Sequence, residues 1–121
     1  MGGSEEQEQA ALFQWLYLYQ ERYPEIGLLF HIPNGGLRVK SEAARFKRIG
    51  VKAGVPDLFL PVARGDHHGL FVEMKREKGG RVSAEQKSWI ELLREQGYRV
   101  EVCKGAEEAV SVVLDYLKCE V

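Results

Sequence analysis

Pro56-Asp57-Leu58-Phe59-Leu60-Pro61, followed by Leu70-Phe71-Val72-Glu73-Met74-Lys75, is the stretch that decides the fold of this 121-residue chain. Both runs are apolar and bounded by turn residues, and the polar segment Ala63-Arg64-Gly65-Asp66-His67-His68-Gly69 between them predicts a strand hairpin. Side chains alternate along a strand, so Glu73 and Lys75 share one face while Leu70, Val72 and Met74 share the other. The three apolar residues mark the side that enters the core. Once the hairpin pairs, Asp57 comes alongside Glu73, with fifteen residues between them in sequence. Two carboxylates converging beside an ammonium make a poor core, because like charges repel and desolvation is costly. A divalent cation resolves the conflict, and carboxylate oxygen with water suits Mg²⁺ or Mn²⁺. Asp57 and Glu73 are therefore the candidate metal ligands, with the Met74 carbonyl as a possible third. Lys75 is placed to orient a water or to stabilise developing negative charge.

Outward from this hairpin, the residues from Glu5 to about Glu21 have helical period, with Leu12, Phe13, Leu16 and Tyr19 as the expected buried stripe. Pro24 and Gly27 end that segment. Leu28 to Ile32 reads as a short strand, and Pro33-Asn34-Gly35-Gly36 is turn chemistry, since Asn and Gly accept positive φ. A basic helix is expected from about Lys40 to Ile49, stopped by Gly50. Downstream, Ser83 opens a helix to about Gln96 with Gly97 just past its end. Tyr98 to Cys103 alternates as a strand, and Ala106 to Leu117 closes as a helix. The order α-β-α-β-β-α-β-α with an internal hairpin predicts an α/β fold with a mixed sheet flanked by helices, not a doubly wound parallel one. Trp15, Tyr17, Trp89 and Tyr98 are assigned to the core. His31, on an apolar strand, reads as a hydrogen-bonded core residue.

With 45% apolar and 29% charged residues, the chain reads as one globular domain over residues 5–121, preceded by a disordered N-terminus or expression scar at residues 1–4. No apolar run approaches the roughly 20 residues needed to span a bilayer. The opening MGGSEEQEQ has neither the basic nor the apolar region of a signal peptide. Cys103 and Cys119 show no metal spacing and no disulfide framework, which fits a reducing cytoplasm. A net charge of −1 argues against a general nucleic-acid coat protein. The distribution says more: between Gly36 and Gly54, six cations (Arg38, Lys40, Arg45, Lys47, Arg48, Lys52) stand against the single acid Glu42. Such a segment is either a phosphate-binding patch or a solvated helix face. Arg38, Lys47 and Arg48 are the candidate backbone-phosphate contacts, which position a nucleic acid without reading its sequence. His67 and His68, adjacent in a loop, make a weak transition-metal pair.

Four blocks carry a resemblance, in order: HIPNGG (His31 to Gly36), AARFKRIGVKAGVPDLFLP (Ala43 to Pro61), HGLFVEMKREKGG (His68 to Gly80) and SAEQKSWIELLREQGYRVEVCKG (Ser83 to Gly105). With these the chain resembles the PD-(D/E)xK nuclease superfamily and, within it, the virus-type replication-repair nuclease (VRR-Nuc) domain, in the small stand-alone form found among phage and prophage proteins. The likeness runs from about Glu5 to the last helix. It implies a restriction-endonuclease-like fold and Mg²⁺- or Mn²⁺-dependent hydrolysis of DNA, with Asp57, Glu73 and Lys75 as the core of the site and Asn34 nearby. It also implies two further active-site residues. One is a glutamate on the first helix, for which Glu5 is chosen because Glu5, Gln9, Leu12 and Leu16 share a stripe; Glu6 is expected to point away, and Glu8 is the alternative. The other is Gln86, which equally forms a capping box with Ser83. Stand-alone members look like homodimers that cut branched DNA, including four-way junctions, without a membrane or an organic cofactor. The rival expectations are a non-catalytic DNA-binding module of the same fold, or a nuclease acting on flaps, ends or RNA.

Overall fold

The computed structural model describes residues 3–33 and 40–120. The chain opens with helix α1 (Glu5–Tyr17), a 3₁₀ turn (Pro24–Leu28) and the short strand β1 (Phe30–His31). Helix α2 (Lys40–Arg48) precedes β2 (Leu58–Leu60) and β3 (Leu70–Lys75); then come α3 (Ala84–Glu95), β4 (Arg99–Lys104) and α4 (Ala106–Lys118). Among the described residues these strands form one mixed sheet in the order β1-β2-β3-β4. The first two pairings are antiparallel, and β4 runs parallel to β3, as a strand–helix–strand crossover through α3 demands. No helix among the described residues is long and apolar enough to cross a membrane.

Alternation along β3 divides the core in two. Leu70, Val72 and Met74 join Leu58 and Leu60 in the larger cluster, which α1 (Leu12, Leu16) and α4 (Ala109, Val113, Tyr116) cover. Each fully buried Leu here contributes on the order of 2 kcal/mol of hydrophobic stabilisation. Phe71 faces the other way, against Ile90 of α3 and Val100 of β4. There Phe59 stacks on Phe71 with ring centroids 4.3 Å apart. Because both faces of the sheet are covered, all six residues of β3 are buried, Glu73 and Lys75 included.

The N-terminal third departs from the sequence reading in several places. Ser4, assigned to the leading tail, is the N-cap of α1 and forms a reciprocal capping box with Gln7. The helix ends at Tyr17 rather than near Glu21. Leu18, Tyr19 and Gln20 donate to carbonyls three residues back, so the backbone tightens into turns ahead of Pro24. Pro24 at the head of the 3₁₀ turn also confines the expected Leu28–Ile32 strand to Phe30–His31. The buried stripe of α1 is Glu8, Leu12 and Leu16, while Phe13, Trp15, Tyr17 and Tyr19 are exposed. Trp89 is half-buried, and Tyr98 packs against the second cluster as expected.

Glu8 has a structural task. Its Oε1 accepts from the Ala106 backbone N–H at 3.0 Å, and its Oε2 accepts from Gly3 N–H at 3.2 Å. The residue before α4 is Gly105, which offers no side-chain cap, so the cap comes from α1 instead. A carboxylate at a helix N-terminus satisfies a donor and complements the helix dipole. Glu8→Ala leaves the Ala106 N–H buried and unpaired, and is expected to cost about 2 kcal/mol and to lower the melting temperature by roughly 5–10 °C. Thermal unfolding followed by circular dichroism checks this; a shift under about 2 °C contradicts the capping role.

Candidate active site

The site forms where β3 ends and three other elements reach it. Asp57 precedes β2, and its Oδ2 accepts from the Met74 backbone N–H at 2.7 Å, tying the carboxylate to β3 just past the last β2–β3 pair. The backbone carbonyl of Asp57 is gripped in turn by Ile32 N–H at 2.7 Å and lies 3.0 Å from His31 Nδ1. His31 is therefore exposed at the edge of the site and not in the core, because β1 is an edge strand only two residues long. On the chain leading to Asp57, Gly54 sits at φ +92°, and a Cβ there would stand 2.8 Å from the Glu85 backbone. Only glycine combines that conformation with so close an approach to α3.

On the α3 side of the sheet, Glu73 and Lys75 meet Gln86. Lys75 Nζ donates to Gln86 Oε1 at 2.9 Å and lies 3.3 Å from Glu73 Oε2, while Gln86 Nε2 donates to the same Glu73 oxygen at 2.9 Å. Gln86 Oε1 also accepts from the Ser83 N–H at 2.9 Å, and Gln86 N–H donates to Ser83 Oγ at 3.1 Å. Gln86 is thus a helix cap and, through the same side chain, a partner of both Lys75 and Glu73. A rigid capping box fixes the amide, and the amide fixes Lys75 and Glu73.

Electrostatics mark this corner as unsettled without a counter-charge. Burial, then the charge of Asp57, pushes the Glu73 carboxyl up to about 8, against the lowering influence of Lys75. Burial likewise raises Asp57, although the Met74 N–H opposes the shift. Glu73 Oε1 is buried with no hydrogen-bond partner. A proton shared with the neighbouring Asp57 carboxyl, an ordered water or a bound cation satisfies such an atom, and of these only the cation also offsets two converging carboxylates.

Beside Asp57 lies a pocket of about 170 Å³ lined by Glu5, Glu6, Gln9, His31, Asp57 and Met74. Glu5 borders it and also approaches Lys75 Nζ at 4.0 Å, whereas Glu8 is committed to α4. Glu6 lines the pocket too, contrary to expectation. The buried stripe runs through Glu8, so the first turn presents both Glu5 and Glu6 to the sheet edge. Gln9 and His31 were missed as pocket residues, although the i, i+3 spacing of Glu6 and Gln9 puts them on one helix flank. Among the described residues no three His, Cys, Asp or Glu side chains converge as a complete cage. Two carboxylates and an open polar pocket fit a hard cation that keeps several waters, as Mg²⁺ does.

The remaining sequence candidates stand apart. Asn34 and Arg38 lie outside the described residues. Lys47 and Arg48 are exposed on the last turn of α2, beside a groove of about 350 Å³ lined by Ala43, Phe46, Lys47, Val51, Lys52 and Ala53. His67 bridges back to Arg64, and His68 packs on Gly97 and Tyr98.

These features have counterparts in known proteins. A family model described as the VRR-NUC domain matches residues 3–107, which takes in α1, the hairpin, α3, β4 and the start of α4. A solved structure described as a VRR_NUC domain protein is 35% identical, with a TM-score of 0.83 over 99% of this chain and 93% of that one. None of the curated proteins matches. The matched segment contains all four strands of the described residues and each element that builds the Asp57–Glu73–Lys75 corner, and on that basis the chain belongs to the VRR-NUC domain family and carries its nuclease-type fold.

Proposed function

We propose that the chain is a Mg²⁺- or Mn²⁺-dependent endodeoxyribonuclease that cuts branched DNA such as four-way (Holliday) junctions, working as a homodimer. The observation that carries the metal-dependent reading is the orphaned Glu73 Oε1, buried beside a second carboxylate whose geometry the Met74 N–H fixes. Asp57 and Glu73 are the ligands, with the Met74 carbonyl beside them. When bound, such a cation acidifies a water and offsets charge on the phosphoryl oxygens. Lys75, held by Gln86, keeps an ammonium fixed beside Glu73, where it orients a nucleophile or meets charge developing on the phosphoryl group. Glu5, at the pocket edge, accepts a hydrogen bond from a water in the pocket. Lys47 and Arg48, with Arg38 and Asn34, contact the sugar-phosphate backbone.

Preference for branched structure rests on the lack, among the described residues, of a separate module for reading base sequence, together with the family's stand-alone form. The test is cleavage of an end-labelled four-way junction beside linear duplex, flap, free-end and RNA substrates, with Mg²⁺ or Mn²⁺ and with EDTA. Metal-dependent paired cuts in the junction, at least about tenfold faster than in duplex, are expected; a tenfold ratio is a difference of ~1.4 kcal/mol between barriers. Folded protein that binds DNA in EDTA yet cuts nothing with either metal is a binding module instead. Faster cutting of flaps, ends or RNA reassigns the substrate.

A further inference from the structure

From Gln9 to Gln20 the chain reads Gln-Ala-Ala-Leu-Phe-Gln-Trp-Leu-Tyr-Leu-Tyr-Gln, without one charge in a protein 29% charged. Of this stretch Leu12 and Leu16 are buried in the core, with Ala11 half-buried against it. Trp15, Tyr17 and Leu18 are 52%, 74% and 76% exposed, and Phe13, Tyr19 and Leu28 are exposed beside them. At 100° per residue Gln14 lies opposite the Leu12–Leu16 stripe, with Trp15 and Leu18 on one flank and Phe13 and Tyr17 on the other. An uncharged helix with large apolar side chains on both flanks of its outer face is the pattern of a buried helix, not of a solvated one.

We infer that this outer face of α1 is the surface by which two copies of the chain associate. Three features select a second copy. No Lys or Arg lies between Gln9 and Gln20, which disfavours a phosphate backbone or an anionic bilayer. Around a two-fold axis a face meets itself, so an uncharged face avoids the like-charge contacts that a charged one suffers. The Gln14 amide at its centre is both donor and acceptor and can pair with its own copy. The exposed side chains amount to on the order of 700 Å², near the ~800 Å² per partner of a standard interface.

The same helix reaches the active site, since Glu6 and Gln9 line the pocket. A contact centred on Gln14 holds each pocket mouth about 12 Å from the axis along its own helix. The surface rests on the nuclease reading for its consequence, paired incisions, but not for its effect on mass.

The experiment is light scattering with size-exclusion chromatography on the full chain at tens of micromolar, with metal-dependent junction cleavage measured in parallel. Wild type is expected at twice 13.7 kDa, and the double variant Trp15→Glu/Leu18→Glu at 13.7 kDa. The variant is expected to keep its far-UV circular dichroism and single-strand nicking and to lose coordinated paired cuts. Monomeric wild type, or a folded variant that remains dimeric, overturns the inference. Should the double variant misfold, Gln14→Cys in a Cys119→Ser background decides: oxidation gives a disulfide-linked dimer if the faces meet and none if they do not. Wild type that is dimeric through this face but cuts nothing refutes the nuclease reading alone.

Discussion

Replacing Glu73 with Gln is expected to slow metal-dependent cleavage by at least about 10³-fold, ~4 kcal/mol of barrier, while leaving the metal-free protein no less stable. The two halves of this expectation share one cause. Glu73 is buried, its carboxyl is held up to about 8 by burial and by Asp57, and Oε1 has no partner. The amide keeps the shape, and its oxygen still accepts from Gln86 Nε2 where Glu73 Oε2 does now. It cannot supply the negative charge that a cation needs. Without metal the neutral side chain removes the repulsion against Asp57, so above pH 8 the variant should match or exceed wild type in melting temperature. Junction cleavage and thermal unfolding at pH 9 in EDTA measure both. Cleavage within tenfold of wild type, or a loss of more than about 2 kcal/mol in stability, would mean that Glu73 holds the fold rather than the metal.

Much of this corner was legible because a strand's period leaves few choices. Once Leu70, Val72 and Met74 face one cluster, Glu73 and Lys75 must face α3; Gln86 came only from the family resemblance, and the structure shows its capping box holding it against them. The signals that failed were of two kinds. Helix period is informative only when polar residues interrupt it, and past Gln9 the only polar residue of α1 before its C-terminal tyrosine is Gln14. The stripe was therefore drawn through Phe13 and Tyr19 instead of Glu8, and Glu6 was turned away from a pocket that it lines. Long-range partnerships were invisible for a different reason. The link between Glu8 and Ala106 spans 98 positions, and its only trace in sequence is negative: Gly105 leaves the last helix without a side chain to cap it. His31, expected in the core, is an edge contact to the Asp57 carbonyl because its strand is only two residues long.

In EDTA the wild-type protein should lose stability as pH rises from about 5 to 9, and Mg²⁺ or Mn²⁺ should restore it at the alkaline end. Glu73 ionises at 4.5 in its ordinary state and at about 8 when folded. Below 4.5 the group is protonated in both states, and its contribution to stability is fully present. Between those values the unfolded chain releases the proton while the folded chain keeps it, so the contribution falls, and above 8 it is gone. The raised Asp57 acts in the same direction. A shift of this size corresponds to a loss on the order of 5 kcal/mol. A cation at 100 times its dissociation constant returns ~2.7 kcal/mol, and near neutral pH its binding displaces about one proton. Melting curves across pH, with and without metal, test the stability half. Titration calorimetry in two buffers of different ionisation enthalpy counts the proton. Glu73→Gln should flatten the pH dependence and abolish the metal response together. A flat wild-type profile, or a metal-induced shift that survives in the variant, would place the cation elsewhere and leave the buried carboxylates without their proposed purpose.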